Sequence, residues 1–382
     1  MANYDYEIIN GRKIRVRPKE TVSEIDKNGY FRRQPNHFTT PFGDGENDLK
    51  AEGNKRYRLV WAKLCHWSNR AAIVRELEGL EDQISVNMVE HAPHEKNLGW
   101  EYVYNENNID PVLGDQFLSE AYYRADDDYQ GRTTVPALID TTTGKVVNND
   151  YNWLTTYFEV NFRPWHKKGA PELYPVELRE EIDKMNLWLF DNINNAVYRS
   201  SFSRSNEGHF DGVNTFYAAM DRLEKRLETN RFLFGDYVTD SDIRLYVTLA
   251  RLDIRYTTQL GETKRPLYTY KNLWGYAKEL WEIPAFAHHT DFAAIIRQGR
   301  IEGEEDGFRA STHYDLAFPK IDWDAQWKVS TERAYLSSDP THPIYLGNNR
   351  RFDIDPTWYD LGAESPKKEE KETPPSCGCC CG

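Results

Sequence analysis

The stretch from Tyr57 to Glu90 limits what this chain can fold into more than any other. "YRLVWA" is a short apolar run with strand character. "SNRAAIVRELEGLED" spaces Ala72, Ile73, Leu77 and Leu80 as one face of a helix with charges between them, and "ISVNMVE" is a second strand. Strand, helix and strand within about 35 residues predict a βαβ unit with parallel strands. Cys65 stands at the joint between the first strand and the helix, and it is the only cysteine before residue 377.

Beyond that unit, the polar stretch from His91 to Arg132 reads as a long surface excursion. "TTVPALIDTTTGKVVNND" predicts a strand, a turn and a short strand, and "YNWLTTYFE" resumes a helical pattern. From Tyr174 to about Phe292 the chain reads as mainly helical. Val213, Phe216, Tyr217, Met220, Leu223 and Leu227 form one stripe, and Thr239 followed by Asp242 has the capping-box pattern, with Val238 and Ile243 as a staple. Asp242 therefore has a structural task rather than a catalytic one. After Asp291 clear periodicity is lost. At the other end, residues 1 to about 55 are polar and turn-rich.

A length of 382 residues leaves room for two or three domains. The net charge of −13 disfavours nucleic acid and acidic membrane surfaces as partners. "MANYDYEIIN" has no basic segment leading an apolar one, and no apolar run is long enough to span a bilayer. With a single cysteine outside the tail, no disulfide framework is available, so a reducing compartment, the cytoplasm, is expected. Aromatics make up 14%, which fits either a thick core or an aromatic pocket.

Unpaired amides and the dipole at a helix start favour a thiolate over a thiol. Position alone leaves Cys65 either a reactive thiol or a buried, inert one, with His66 and Arg70 able to add positive potential to the first. "TVP" at 134–136 tips the reading. In thioredoxin-like folds a proline before the third strand is cis, and the residue ahead of it turns its backbone toward the first helix's start, an edge that pairs with an extended peptide such as glutathione.

"RYRLVWAKLCHWSNRAAIVRELEGLED", "GRTTVPALID…GKVVNND", "NNAVYRSSF" and "RFLFGDYVTDSDIRLYVTLARLD…YKNLWGYAKELWE", in this order, resemble the glutathionyl-hydroquinone reductases, also called Xi-class glutathione transferases. The resemblance implies a thioredoxin-like N-terminal domain (56–165) followed by an all-helical glutathione-transferase C-terminal domain (174–300). An extended arm (1–55) precedes them, and an irregular extension (301–360) and a disordered, Cys-rich tail (361–382) come after. It implies a homodimer, glutathione as co-substrate, and glutathionylated aromatic small molecules as substrates, reduced through a Cys65–glutathione mixed disulfide. By match of position, Cys65 is the nucleophile, and Trp67, Trp100, Arg132, Val135, Pro136 and Asp150 bind glutathione. Tyr198 contacts the hydroquinone and donates a proton, and Tyr256 joins it in the substrate pocket.

The chain departs from the family pattern in places. The family's Cys-Pro-Trp-Ala-His-Arg is Cys65-His66-Trp67-Ser68-Asn69-Arg70 here; its Glu-Ser pair is Asp150-Tyr151; and Arg300 stands near an expected aromatic. These departures keep two alternatives open: a catalytically weakened binding protein of the same fold, and a conventional glutathione transferase. The second is disfavoured by a cysteine where a Ser or Tyr hydroxyl would be needed. No metal is expected, since His91, His94, His288 and His289 have no cysteine or acid completing a tetrahedral set. The terminal "CGCCCG" is open to a lipid, a soft metal or neither.

Overall fold

The computed structural model describes residues 5–16, 23–92, 98–257, 260–261, 265–297 and 322–337. A short hairpin opens the chain, β1 (Tyr6–Ile9) with β2 (Arg12–Arg15). The central sheet has four strands: β3 (Tyr57–Trp61), β4 (Ile84–Met88), and, after a small hairpin of β5 (Glu90–His91) with β6 (Trp100–Glu101), β7 (Ala137–Asp140) and β8 (Lys145–Asn148). Their order is β4-β3-β7-β8. Tyr57 pairs with Ile84 in parallel, whereas β7 runs antiparallel to both β3 and β8. The predicted crossover and hairpin are both present. All five residues of β3 are buried, as expected for a central strand covered on two faces.

The crossover helix α1 (His66–Leu77) is buried on nearly every side. The sequence pattern predicts an ordinary amphipathic helix with its charges in water. Instead α1 is wedged between the sheet and the helical half, so its polar residues are bonded inside. Asn69 Nδ2 donates to the His289 carbonyl at 2.8 Å, and Arg75 Nε donates to the Ile84 carbonyl at 2.7 Å. The excursion expected from His91 to Arg132 contains α2 (Leu118–Ala125), whose Leu118, Ala121, Tyr122 and Tyr123 are buried. Aromatic weight anchors this segment where polarity suggests a surface loop. The hairpin β1–β2 is fastened to it by Arg12, which donates to Glu120 at 2.9 Å.

After α3 (Leu154–Val160), helices succeed one another: α4 (Arg179–Leu189), α5 (Ala196–Phe202), α6 (Asn206–Arg226), α7 (Asp240–Arg251), α8 (Lys271–Trp281), α9 (Pro284–His288) and α10 (Phe292–Arg297). Asp242 accepts from the Thr239 backbone N–H (2.8 Å), the Leu233 N–H (2.9 Å) and the Tyr276 hydroxyl (2.8 Å), the structural task read from the capping pattern. Two π-helical turns interrupt this half. Phe190–Asn194 lies between α4 and α5, and Leu252–Tyr256 continues α7. Such turns recur at functional sites because they re-aim side chains.

The loss of periodicity after Asp291 does not mean loss of packing. Phe292 and Ile295 of α10 are buried, and α11 (Trp323–Trp327) sets the Trp327 ring 5.2 Å from Trp274 and 5.5 Å from Phe292. Arg333 donates to the carbonyls of Leu227 and Asn230 at 3.0 and 2.9 Å, beside the C-terminal end of α6. Anchors made of single rings and one arginine leave no repeat for a sequence pattern to reveal. Arg300, His94 and the tail cysteines lie outside the described residues. Among the described residues no helix is long and apolar enough to cross a membrane, and no cluster of His, Cys, Asp and Glu is arranged to hold a metal.

Candidate active site

Cys65 caps α1 in an extended conformation (φ −84°, ψ 117°), and its carbonyl accepts the Asn69 N–H at 3.0 Å, so the helix begins at the sulfur-bearing residue. Ser68 tightens the strand-to-helix joint by accepting the Ala62 N–H at 3.1 Å. The thiol is half-buried rather than sealed in the core. The Val135–Pro136 bond is cis, and the Val135 carbonyl lies 3.8 Å from the Cys65 sulfur. Trp100 belongs to the apolar cluster, with Leu64 and Val135, against which Cys65 packs, and its ring stacks on His91 at 4.0 Å.

The other flank of α1's start is aromatic. The buried Trp67 ring has Tyr151 at 4.7 Å, Phe190 at 5.6 Å and Tyr198 at 5.7 Å. Tyr198 continues to Phe202 at 5.8 Å, and Phe202 to Phe31 at 5.4 Å. The Arg33 guanidinium sits over two of these rings, 4.6 Å from Trp67 and 4.5 Å from Tyr198, while its Nε donates to Asn195 at 2.8 Å. Tyr256, the last residue of its π turn, brings its hydroxyl 3.1 Å from His66 Nδ1.

The electrostatics arise from this packing. Burial raises the Tyr198 hydroxyl, the nearby Cys65 side chain raises it further, and Arg33 opposes both. Burial likewise raises Tyr256, with Tyr198 adding to it. His66 is held well below the ordinary imidazole value, first by burial and then by the positive charges of Arg251, Arg70, Arg33 and Arg255. Its ring is therefore neutral at physiological pH. Burial also pushes Arg70 down to about 9; this side chain donates to the Tyr151 carbonyl.

Cys65, Trp67, Val135, Tyr198 and Tyr256 thus gather around the start of α1. Arg132 and Asp150 sit along a different feature, the segment from Glu24 to Phe38. Arg132 Nη2 donates to Glu24 at 2.7 Å, its N–H donates to Gln34 at 2.8 Å, and Asp150 accepts from Asn36 at 2.9 Å. This arm starts on the helical half, where the Phe31 N–H donates to Ser203 at 3.1 Å and the Arg204 N–H to the Gly29 carbonyl at 2.6 Å. It ends on the sheet, where the Asn149 N–H donates to the Phe38 carbonyl at 2.9 Å. Sequence reasoning placed these residues in an extended arm but missed that the arm crosses the site, and with it Arg33. Its polar, turn-rich composition carries no signal that it crosses a site.

The family model for the glutathione S-transferase C-terminal domain matches residues 197–279. A glutathione S-transferase omega-like 2 of Schizosaccharomyces pombe is 34% identical over 279 residues, which cover 70% of this chain and 88% of that protein. The glutathionyl-hydroquinone reductase YqjG of Escherichia coli is 33% identical, with 63% of this chain and 73% of that one aligned. The chain belongs to the glutathionyl-hydroquinone reductase, or Xi-class glutathione transferase, family. The Xi glutathione S-transferase of Phanerochaete chrysosporium superposes with a TM-score of 0.65 at 33% identity, covering 71% of this chain and 87% of its own. The glutathione-bound structure of YqjG superposes with a TM-score of 0.62 at 32% identity, covering 71% and 88%. This family membership makes the chain an enzyme with a thioredoxin-like domain followed by a helical glutathione-transferase domain.

Proposed function

We propose that this enzyme uses glutathione to remove the glutathionyl group from glutathionyl-hydroquinones. The carrying observation is the half-buried Cys65 sulfur, with the Val135 carbonyl on one side and the Tyr198 and Tyr256 hydroxyls beyond His66 on the other. Glutathione is the co-substrate, as the glutathione-bound relative supports. Its backbone lies along the Val135–Pro136 edge, Asp150 takes its amine, Arg132 faces its charged end, and Trp67 and Trp100 flank it.

In the first step the Cys65 thiolate attacks the sulfur of the substrate's glutathionyl group. An S–S bond forms and the carbon–sulfur bond breaks. Its electron pair passes to the ring carbon, which takes the Tyr198 proton, and hydroquinone leaves. In the second step a glutathione thiol gives its proton back to Tyr198 and attacks the mixed disulfide. Glutathione disulfide leaves and Cys65 is restored. One enzyme cysteine suffices because glutathione brings the other sulfur. The enzyme works as a cytoplasmic homodimer in this reading.

Turnover of a glutathionyl-hydroquinone panel by the intact protein tests the reading, together with intact-mass analysis after glutathione disulfide. The expected result is a glutathione adduct on Cys65, reversed by free glutathione, and turnover that disappears in Cys65→Ser. An adduct without any turnover would make the protein a binder of the same fold. Conjugation to electrophiles that survives Cys65→Ser would make it a conventional transferase.

A further inference from the structure

His66 stands where the family pattern has proline, and its surroundings give it a task that proline cannot perform. The ring is 1% exposed. Nδ1 lies 3.1 Å from the Tyr256 hydroxyl and 3.3 Å from the Thr248 hydroxyl, and Nε2 is buried with no hydrogen-bond partner. The ring centre is 5.2 Å from that of Tyr198. Tyr256 and Tyr198 are neighbours, with their ring centres 6.3 Å apart.

Two tautomers are open to a neutral imidazole, and the network chooses between them. If Nε2 carried the proton, a buried N–H would go unpaired, and orphaned N–H groups are rarer and costlier than a lone pair left unmet. If Nδ1 carries it, the proton is shared between Tyr256 and Thr248. Thr248 already accepts from Asn194 Nδ2 at 2.8 Å and is free to accept again. Tyr256, having accepted from His66, then has its own proton for Tyr198. The positive groups around the ring come from every neighbouring element: Arg70 on α1, Arg251 on α7, Arg255 on the π turn and Arg33 on the arm. All four oppose a second proton on the ring.

We propose that His66 is a positioning residue of the reductase reaction: its Nδ1–H, donated to Tyr256, sets the direction His66→Tyr256→Tyr198, which leaves the Tyr198 proton aimed at the departing ring carbon. The histidine proton stays on nitrogen throughout; only the Tyr198 proton moves, and the incoming glutathione thiol replaces it. The role rests on the proposed reductase reaction and deepens it. General acids of this kind contribute about 10²–10⁴ in rate, so losing their alignment forfeits a part of that.

The test compares His66→Phe, which keeps the ring and removes both nitrogens, with His66→Asn, whose amide N–H can take the place of Nδ1–H. Two steps are timed separately: hydroquinone release from a glutathionyl-hydroquinone, and reduction of the preformed Cys65–glutathione disulfide by glutathione. We expect hydroquinone release to fall about tenfold or more in His66→Phe, with disulfide reduction within about twofold, and His66→Asn to recover most of the loss. Equal losses in both steps, or no loss in either, overturn the role, as does an Asn variant no better than Phe. An intact protein that forms the adduct yet releases no hydroquinone overturns the proposed reaction itself, and the role of His66 with it. Should His66→Phe not fold, 15N–1H correlation on histidine-labelled intact protein decides: a proton on Nδ1 supports the role, and a proton on Nε2 overturns it.

Discussion

The two flanks of the Cys65 sulfur are built in different ways. On one flank the Val135–Pro136 segment and the Trp100 cluster come from the thioredoxin-like domain, and what they offer a ligand there is mostly backbone beside a sheet edge. On the other, Trp67 and His66 from α1 meet Tyr198 from α5, Tyr256 from the π turn that follows α7, and Arg33 from the arm. The first flank is fixed by chain topology, so most substitutions leave it in place. The second exists only as long as side chains from four separate segments agree. The departures from the family pattern at 66 and 151 both lie on the second flank.

The largest effect is expected where the flanks meet. Cys65→Ser should reduce glutathionyl-hydroquinone turnover to background while leaving binding of glutathione intact, as read by calorimetry. Residual turnover above background would mean that the sulfur does not carry the reaction. Tyr198→Phe comes next. The ring stays against Trp67 and Phe202, and only the hydroxyl is lost. Hydroquinone release should slow by about a hundredfold, within the usual range for a lost general acid, with reduction of the preformed mixed disulfide, for which Tyr198 already holds its proton, little changed. A loss shared by both steps would place Tyr198 on the glutathione flank and erase the division between the two.

The difference between the flanks also explains which parts are legible in the sequence. The βαβ unit, the hairpin after Pro136 and the helical run announce themselves through periodicity, because each buries a repeating face. Cys65 at a strand–helix joint and Val135–Pro136 beside it emerge from that order. Arg33 and the path of the arm across the site do not: single polar side chains that reach across a site repeat nothing. His66 is visible as a departure from a motif, yet its partners Thr248 and Tyr256 lie more than 180 positions away in sequence, and no local pattern links them. The buried polar face of α1 is unreadable for a related reason. Its partners are backbone carbonyls outside the helix, among them that of His289 in the other domain.

The aromatic flank should also be the acid-labile one. In the unfolded chain His66 takes up a proton near the ordinary histidine value of about 6.5, whereas in the folded protein burial and four arginines prevent this until far lower pH. Between those values the unfolded state binds more protons. Its stability contribution is thus complete above about pH 6.5 and is lost as pH falls, by up to about 1.4 kcal/mol per pH unit. His289, lowered to about 4 by burial despite its neighbour Glu76, acts in the same direction. Denaturant unfolding between pH 7 and 5 should therefore show less acid loss in His66→Phe than in the intact protein. Parallel curves would mean that the ring is solvated and the flank loosely packed.

The smallest expected effect concerns the arm that completes the second flank. Gly29 has φ +80°, and a Cβ there would stand 2.9 Å from the Ser205 Cβ, beside the Arg204 N–H bond to its carbonyl. An alanine must therefore bear a left-handed backbone and displace the loop between α5 and α6, at a cost of about 1–3 kcal/mol. The arm is held at its other end by Asn149, and by Asn36 and Gln34 on Asp150 and Arg132, so the cost should be met by local release near Phe31 and Arg33 rather than by global unfolding. Hydrogen exchange in Gly29→Ala should speed up between residues 25 and 33 with the midpoint of thermal unfolding nearly unchanged. Because Arg33 covers Trp67 and Tyr198, hydroquinone release should weaken in step with that exchange while mixed-disulfide reduction does not. If the arm loosens and both steps keep their rates, its arginine is only a cover over the rings, and the aromatic flank is complete without it.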